Sequence, residues 1–356
     1  FTAILLGIPV FVIPLFLLDV TIDPALTPRF TLLSVALLFV VVFGYKDFRA
    51  ATANGQLGFL RRTILLPFLV YLLCTILSIT RAVNVSEGIF EVLKTLLFLI
   101  FLLVATFIIR TQRASLAVLV KGVSLLAIVV SVIGISQHYH LGFEWIPGPA
   151  DAQPFSTFAN KNLFSSFLFL TLPFVLFGFF TFNARWHITA GISFTLALYA
   201  ILVAQTRAVW VALVLSFALI VVAAVLYFSQ KKLRFSIESL HIHELRILQF
   251  CALVVAVIAL NFLQPLLFRS STTSNISTVE KAASIFDPQN SSRNERITLW
   301  KKSLLIIKDY PLLGVGAGNW KIVFPKYGLV GTRMEMGTVH FPQPHNDFLW
   351  VASETG

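Results

Sequence analysis

Residues 89–109 read IFEVLKTLLFLIFLLVATFII, and the two ionisable side chains in this run, Glu91 and Lys94, both fall near its start. The remainder is apolar apart from Thr95 and Thr106. About 20 such residues wound as a helix cross a hydrocarbon core of about 30 Å. In lipid every backbone N–H and C=O needs an internal partner, so a spanning segment is either a helix or a strand of a closed barrel. Barrel strands are short and alternate apolar with polar residues. This run does neither, and it predicts a membrane-spanning helix.

Comparable runs lie on either side of it, at about 1–18, 30–45 and 62–80, then at about 115–136, 162–182, 187–204, 208–228 and 246–268. Another opens near 347. The expected fold class is all-α, a polytopic integral membrane protein with about ten spans in this chain. Composition agrees: 57% of residues are hydrophobic, 12% are charged and the mean hydropathy is +0.87, beyond the usage of soluble domains. The chain starts at Phe1 inside one apolar run and stops at Gly356 shortly after another has begun, so it is expected to be an internal segment of a longer protein. Cys74 and Cys251 both lie inside apolar runs, which argues against a disulfide framework or a metal pair.

The net charge of +11 does not point to nucleic acid, because the basic residues punctuate the apolar runs instead of gathering on one soluble face. Their distribution predicts orientation instead. One set of alternate loops holds Lys46, Arg49, Arg61 and Arg62, then Arg110 and Arg113, Arg185, and Lys231, Lys232, Arg234 and Arg246. The other set holds Arg29, Arg81, Lys161 and Arg207, one apiece. Excess Lys and Arg marks the cytoplasmic side, so the second set faces outward. The outer side then receives 19–29, 81–88, 138–161, the turn at 205–207 and the long stretch 269–345. The expected organisation is a transmembrane helical bundle over 1–268, a large external loop over 269–345, and the start of a further span over 346–356.

Within that loop, 269–292 is polar and is expected to be mobile. Residues 293–309 place Ile297, Trp300, Leu304 and Ile307 on one stripe, with Lys301, Lys302 and Lys308 elsewhere, the pattern of a helix lying at the membrane interface. The loop carries ten Lys or Arg against five Asp or Glu, a balance that attracts anionic headgroups and substrates. Asn84, Asn275 and Asn290 open Asn-x-Ser triplets, which matter only in a glycosylating secretory pathway.

GVGAGN, residues 314–319, looks at first like a nucleotide loop. No Lys-Ser/Thr follows and no strand precedes, so it reads as a turn after Pro311 that bends the chain at the membrane surface. Arg207 lies where one apolar run ends and the next begins, so its guanidinium either snorkels to headgroups or pairs with an anion. Arg81 and Lys161 pose the same choice. Arg293 and Arg296 share a helix face close to a helix N-terminus, a combination that suits an anion site or, with Glu295 between them, a solvated cap. His345 stands in QPHNDFLW just before the last apolar run. Alone it could be structural, but Arg207, Arg296 and His345 are all expected outside and at interfacial depth. Two arginines suit a diphosphate, and a neutral imidazole suits removal of a proton from an attacking hydroxyl. His340 and His345 are too few to close a metal site, and no acidic pairs at helical spacing accompany them.

FSTFANKNLFSSFLFLTLP (155–173), QTRAVW (205–210), RITLWKKSLLIIKDYPLLGVGAGNW (296–320) and PHNDFLWVASETG (344–356) together resemble the O-antigen ligase and polymerase superfamily of bacterial envelopes. The likeness covers the chain from about 155 onward; before that it is a likeness of spans only. It implies an inner-membrane protein of about a dozen helices, with its active site on a large periplasmic loop. It implies transfer of a glycan from undecaprenyl diphosphate to an acceptor hydroxyl with inversion, without metal, nucleotide or other cofactor. The catalytic assignments carried over are Arg207 and Arg296 on the diphosphate and His345 as the essential histidine. Asn160 and Asn162 match the family's asparagine pair. Together with Lys161, Arg81, Arg293, His340 and Asn346 they make up the expected substrate-binding set. Thr206 replaces the usual Ser, and Ala208 replaces a common Gly.

Three activities share such a site: ligation onto lipid A core, polymerisation of repeat units, and transfer to a protein hydroxyl. The motif set reads most like the ligase branch. A transporter for lipid-linked glycans is the competing class. It calls for ionisable groups deep in the spans and for broken helices in matching halves. Glu91, Lys94 and Lys121 lie near span ends, and Pro67 and Pro173 interrupt two spans, with no buried acidic pair evident. A scaffold would leave the external arginines and His345 without a task.

Overall fold

The computed structural model describes residues 7–18, 26–54, 65–111, 114–143, 146, 154–158, 160–230, 240–267, 291–337 and 339–356. In chain order the helices are α1 (Leu26–Ala53), α2 (Leu66–Ser78), α3 (Val85–Thr111), α4 (Ala114–His138), α5 (Lys161–Thr181), α6 (Ala184–Val203), α7 (Arg207–Gln230), α8 (Leu240–Leu267), α9 (Ser291–Asp309), α10 (Trp320–Val323) and α11 (Asp347–Thr355). Among the described residues there is no strand.

Among the described residues six helices are long and apolar enough to cross a membrane: α1, α3, α4, α5, α6 and α8. Two further apolar helices, Leu66–Arg81 and Arg207–Ala223, are shorter. These six do not by themselves make up the expected ten or so. The expected first span contributes only short π and 3-10 turns over residues 8–15, and its opening residues lie outside the described set. Pro67 lies at the start of the described part of its span. It sits in the first turn of α2, where its missing N–H costs nothing. Pro173 does lie inside α5. The polar stretch 269–292, with Asn275 and Asn290, lies outside the described residues except for its last two positions.

The chain divides into two compact units, one of Phe1–Val42 with Gln112–Ile285 and the other of Phe43–Thr111 with Phe286–Gly356. In the first, α4, α5 and α6 form the core. The inner seam of α6 is made of small residues, Ala190, Ser193, Ala197, Ala200 and Ala204, each no more than 1% exposed. In lipid, helices associate through packing because the tails are as apolar as the side chains, and small residues let backbones approach closely. Facing them are Phe164, Leu168 and Val175 of α5 and Ala127 and Val130 of α4, all fully buried. Gly134 is the complement of Phe164: a Cβ there would stand 2.4 Å from the ring. By contrast, Val214 and Leu219 of α7 and Leu248 and Val255 of α8 are at least 65% exposed, as expected of lipid-facing sides.

The second unit is built around α9 and the glycine-rich turn. Leu299 and Ile306 of α9 are fully buried with Trp320, Val323, Phe324, Met334 and Phe341. The buried stripe is Glu295, Leu299, Ser303 and Ile306, rotated from the expected Ile297, Trp300, Leu304 and Ile307. Leu304 is 53% exposed, and the other three of the expected stripe are half-buried. The turns of the loop, not a flat interface, select the face: Ser303 Oγ accepts from Trp320 Nε1 at 3.0 Å, drawing the otherwise polar edge inward.

The turn at 314–319 is an interlock more than a bend. Val315 and Gly316 donate their N–H groups to the Ser353 and Glu354 carbonyls at 2.9 and 3.1 Å. Ala317 N–H donates to Ser78 Oγ at 3.0 Å, and Asn319 pairs with both backbone groups of Asn84 at 2.7 and 3.1 Å. Asn84 also accepts from the N–H groups of Ser86 and Glu87, so it caps α3 and its side chain serves the fold. Gly314, Gly316 and Gly318 have φ of 59°, 93° and 73°. A Cβ on Gly316 would lie 2.6 Å from Ala82 Cα and one on Gly314 would lie 2.2 Å from the Glu354 carbonyl carbon. Gly316→Ala is therefore expected to destabilise the second unit by roughly 2–6 kcal/mol, combining left-handed strain with a clash against backbone that cannot yield. Thermal unfolding in detergent measures this, and an unchanged melting temperature would contradict it.

Candidate active site

In the second unit the site begins at the N-terminal half of α9. Glu295 is buried while Arg296, next along, is half-buried. One turn further on, Trp300 Nε1 donates to the Pro344 carbonyl at 3.0 Å, tying the segment ahead of His345 to α9. On the other side of His345, Asn346 caps α11 by accepting from Leu349 N–H at 3.2 Å, and its carbonyl accepts from Trp350 N–H. His345 itself has φ of 56°, the left-handed region that a non-glycine residue occupies at a cost. It is held there by fixed neighbours on both sides. The buried Phe341 ring meets the imidazole edge-on at 5.7 Å and 82°.

Although His345 keeps an exposed surface, its pKa is lowered from the ordinary 6.5. Partial burial is the largest cause and the Arg296 charge the next; Glu295 opposes them, and Arg333 adds to the lowering. At neutral pH the ring is therefore neutral and able to accept a proton.

Arg333 was not legible as a site residue. Its backbone N–H and Nε both donate to the Glu295 carboxylate, at 2.7 Å and 3.1 Å, and its guanidinium carbon lies 5.6 Å from the centre of the Phe341 ring. The signal was a lone basic residue in a long loop, and nothing in the spacing ties it to Glu295. Glu354 lies in the stretch 344–356 and carried no expectation of its own. It is 6% exposed, with Oε2 accepting from Gly318 N–H at 2.8 Å and Oε1 from Trp320 N–H at 3.0 Å. It holds the glycine-rich turn against α11, the helix that begins just after His345.

The other expected residues of this unit are less engaged. Arg81 is exposed at the end of the 3-10 turn Ile79–Arg81, and His340 is exposed five residues before His345. Arg293 falls in the first turn of α9, and its side chain lies outside the described residues.

The first unit contains Arg207 and the asparagine pair. Arg207 is half-buried and opens α7 directly after Gln205, which is left-handed with φ of 50°. Thr206 is buried, its hydroxyl 2.9 Å from that of Ser165 in the first turn and a half of α5. Its carbonyl accepts from the N–H groups of Val209 and Trp210. Thr206 in place of Ser thus keeps the hydroxyl that sets the helix start. Asn160 caps α5, its side chain accepting from Asn162 N–H at 2.8 Å; both asparagines are exposed, and Lys161 between them is half-buried. The Ser165–Thr206 bond therefore brings the start of α5, with the asparagine pair, beside the start of α7, with Arg207.

The segment just ahead of the pair is fixed with equal care. Gln137 accepts from Ser156 N–H at 2.7 Å and donates to the Ser156 carbonyl at 3.1 Å, clamping a fully buried left-handed residue. Arg29, counted in the sequence only as a loop charge, donates to the carbonyls of Phe16, Pro14 and Thr157 at 3.1, 2.9 and 2.5 Å and lies over the Phe158 ring.

Among known protein families, the model described as O-antigen ligase matches residues 192–356. The match takes in Arg207, Arg296, Arg333, His345 and Glu354 and begins after Asn160 and Asn162. No curated protein and no solved structure matches the chain.

Proposed function

We propose, from the O-antigen ligase domain that residues 192–356 carry, that this multi-pass membrane protein is an enzyme that moves a glycan from a polyprenyl diphosphate to an acceptor hydroxyl. The observation that carries the reading is the setting of His345, a left-handed imidazole fixed on both sides and kept neutral by burial and by Arg296. A side chain held in strained backbone beside a cation is suited to chemistry more than to packing.

In the proposed step the acceptor oxygen attacks the anomeric carbon as the bond from that carbon to the diphosphate oxygen breaks. The configuration inverts, and the hydroxyl proton passes to His345. Polyprenyl diphosphate leaves with the bonding electron pair, and Arg296 offsets the negative charge that grows on it. Arg207 is assigned to the same diphosphate on the sequence pattern. Ligation of O-antigen or another surface polysaccharide, at the periplasmic face of the inner membrane, is the branch we favour, because the matched domain bears that description.

The test uses the full-length protein in lipid with an undecaprenyl-diphosphate glycan and separate acceptors: lipid A core, a second lipid-linked glycan, and a Ser/Thr peptide. Transfer to lipid A core alone is expected. Transfer to the lipid-linked glycan or to the peptide would move the assignment to polymerase or protein transferase. Movement of the glycolipid across the bilayer with no transfer would replace the enzyme reading with a transporter.

A further inference from the structure

We infer that Arg333 is a positioning residue for His345, acting through Phe341 and anchored by Glu295. The inference rests on the proposed role of His345 as base. All four residues belong to the second unit and form a continuous chain of contacts. Glu295 is buried on α9, next to Arg296, and its carboxylate is bound by both the backbone and the side chain of Arg333. A buried carboxylate needs such a partner, since an unpaired one would carry the full cost of desolvation. That requirement fixes the 3-10 turn Arg333–Met336 against α9. The anchored guanidinium lies over one ring, Phe341, in the geometry of a cation–π contact. Phe341, 4% exposed, in turn presents its ring to the imidazole edge-on.

The consequence for His345 is both steric and electrostatic. Phe341 limits where the ring can turn, and Arg333 keeps Phe341 in place. The charged groups acting on His345 are Arg296 and Glu295 from α9 and Arg333 from the loop; the two arginines favour the neutral ring and the glutamate opposes them. The arrangement allows Glu295 to be buried beside a base without protonating it, because Arg333 neutralises the carboxylate.

The test reads His345 directly by its pH-dependent reaction with diethyl pyrocarbonate, which at histidine modifies only the neutral imidazole. Fragment-ion mass spectrometry of the intact protein in lipid locates the label and separates His345 from His340. Arg333→Gln removes a positive charge and is expected to raise the midpoint of modification. Glu295→Gln removes a negative charge and is expected to lower it, and Arg333→Lys to restore it towards wild type. Opposite movements are not produced by general loosening of the fold. Midpoints that stay at the wild-type value in both Gln variants, or that move the same way, overturn the inference. Should Arg333→Gln fail to fold, the Glu295→Gln and Arg333→Lys arms decide in the same terms. Modification needs no transfer activity, so an inactive wild type with midpoints that move as stated would sink the transferase reading and leave the positioning role standing.

Discussion

His345→Ala is expected to lower kcat for glycan transfer by roughly a hundred- to ten-thousand-fold, the range that a positioned general base contributes. KM for the lipid-linked donor should change little, because in the proposed step the imidazole meets the acceptor hydroxyl and not the diphosphate. His345→Asn is the sharper control: asparagine tolerates the left-handed backbone seen at φ of 56°, so the loop keeps its shape while the base is gone. The pH profile separates a base from a structural imidazole. A lowered pKa means that the ring is half-protonated at a pH below the ordinary 6.5, so wild-type kcat should fall on the acid side with a midpoint below that value. Arg296 is one cause of that lowering, so Arg296→Ala should move the acidic limb to higher pH as well as reduce kcat. Arg296→Lys keeps the charge but loses the planar fork, and should restore the limb better than the rate. If both His345 variants transfer glycan at the wild-type rate, the base lies elsewhere and the mechanism is wrong.

The helices were legible because spanning a membrane imposes a length and an apolar composition that few other constraints imitate. The run at 89–109 became α3 with modest extensions at either end, and the runs from 115 to 268 became α4 to α8. The face of α9 was not legible. Its sequence is apolar on more than one side, and the side that is buried was decided by Trp320 and Phe324, which lie after a turn whose path no periodicity reveals. The glycine-rich turn was legible as a turn, yet its partners, at Ser78, Asn84 and Glu354, are distant in sequence and no local pattern ties them to it. Asn160 and Asn346 illustrate a further limit. Both stand in the stretches that carry the resemblance, and both serve as helix caps, so their place in the pattern is explained by local backbone chemistry before any substrate is considered. Arg333 shows the converse, since a residue without any motif reaches the proposed base through a single ring, that of Phe341.

Glu354→Ala is expected to cost the second unit about 2–5 kcal/mol and to abolish transfer, although Glu354 takes no part in the proposed chemistry. The carboxylate accepts from two buried N–H groups, those of Gly318 and Trp320, at 2.8 and 3.0 Å. Alanine would leave both without a partner in a place water does not reach, and an unsatisfied buried donor costs about 1–3 kcal/mol. The damage should spread, because the same turn docks Val315 and Gly316 on the last carbonyls of α11 and leaves no room for a Cβ at Gly314. Loosening that contact frees the helix whose first turn is capped by Asn346, and with it the position of His345. Glu354→Gln separates geometry from charge. Its single amide oxygen can still accept one of the two N–H groups, while its NH2 faces the other as a second donor, so an intermediate loss of melting temperature is expected. Limited trypsin digestion gives an independent reading: Lys321, Lys326 and Arg333 follow the turn, and cleavage there should be fast in Glu354→Ala, slower in Glu354→Gln and slowest in wild type. Should Glu354→Ala unfold at the wild-type temperature and resist trypsin equally, the interlock between turn and helix does not hold the unit together. Activity lost without any such loosening would instead place Glu354 among the groups that meet the substrate.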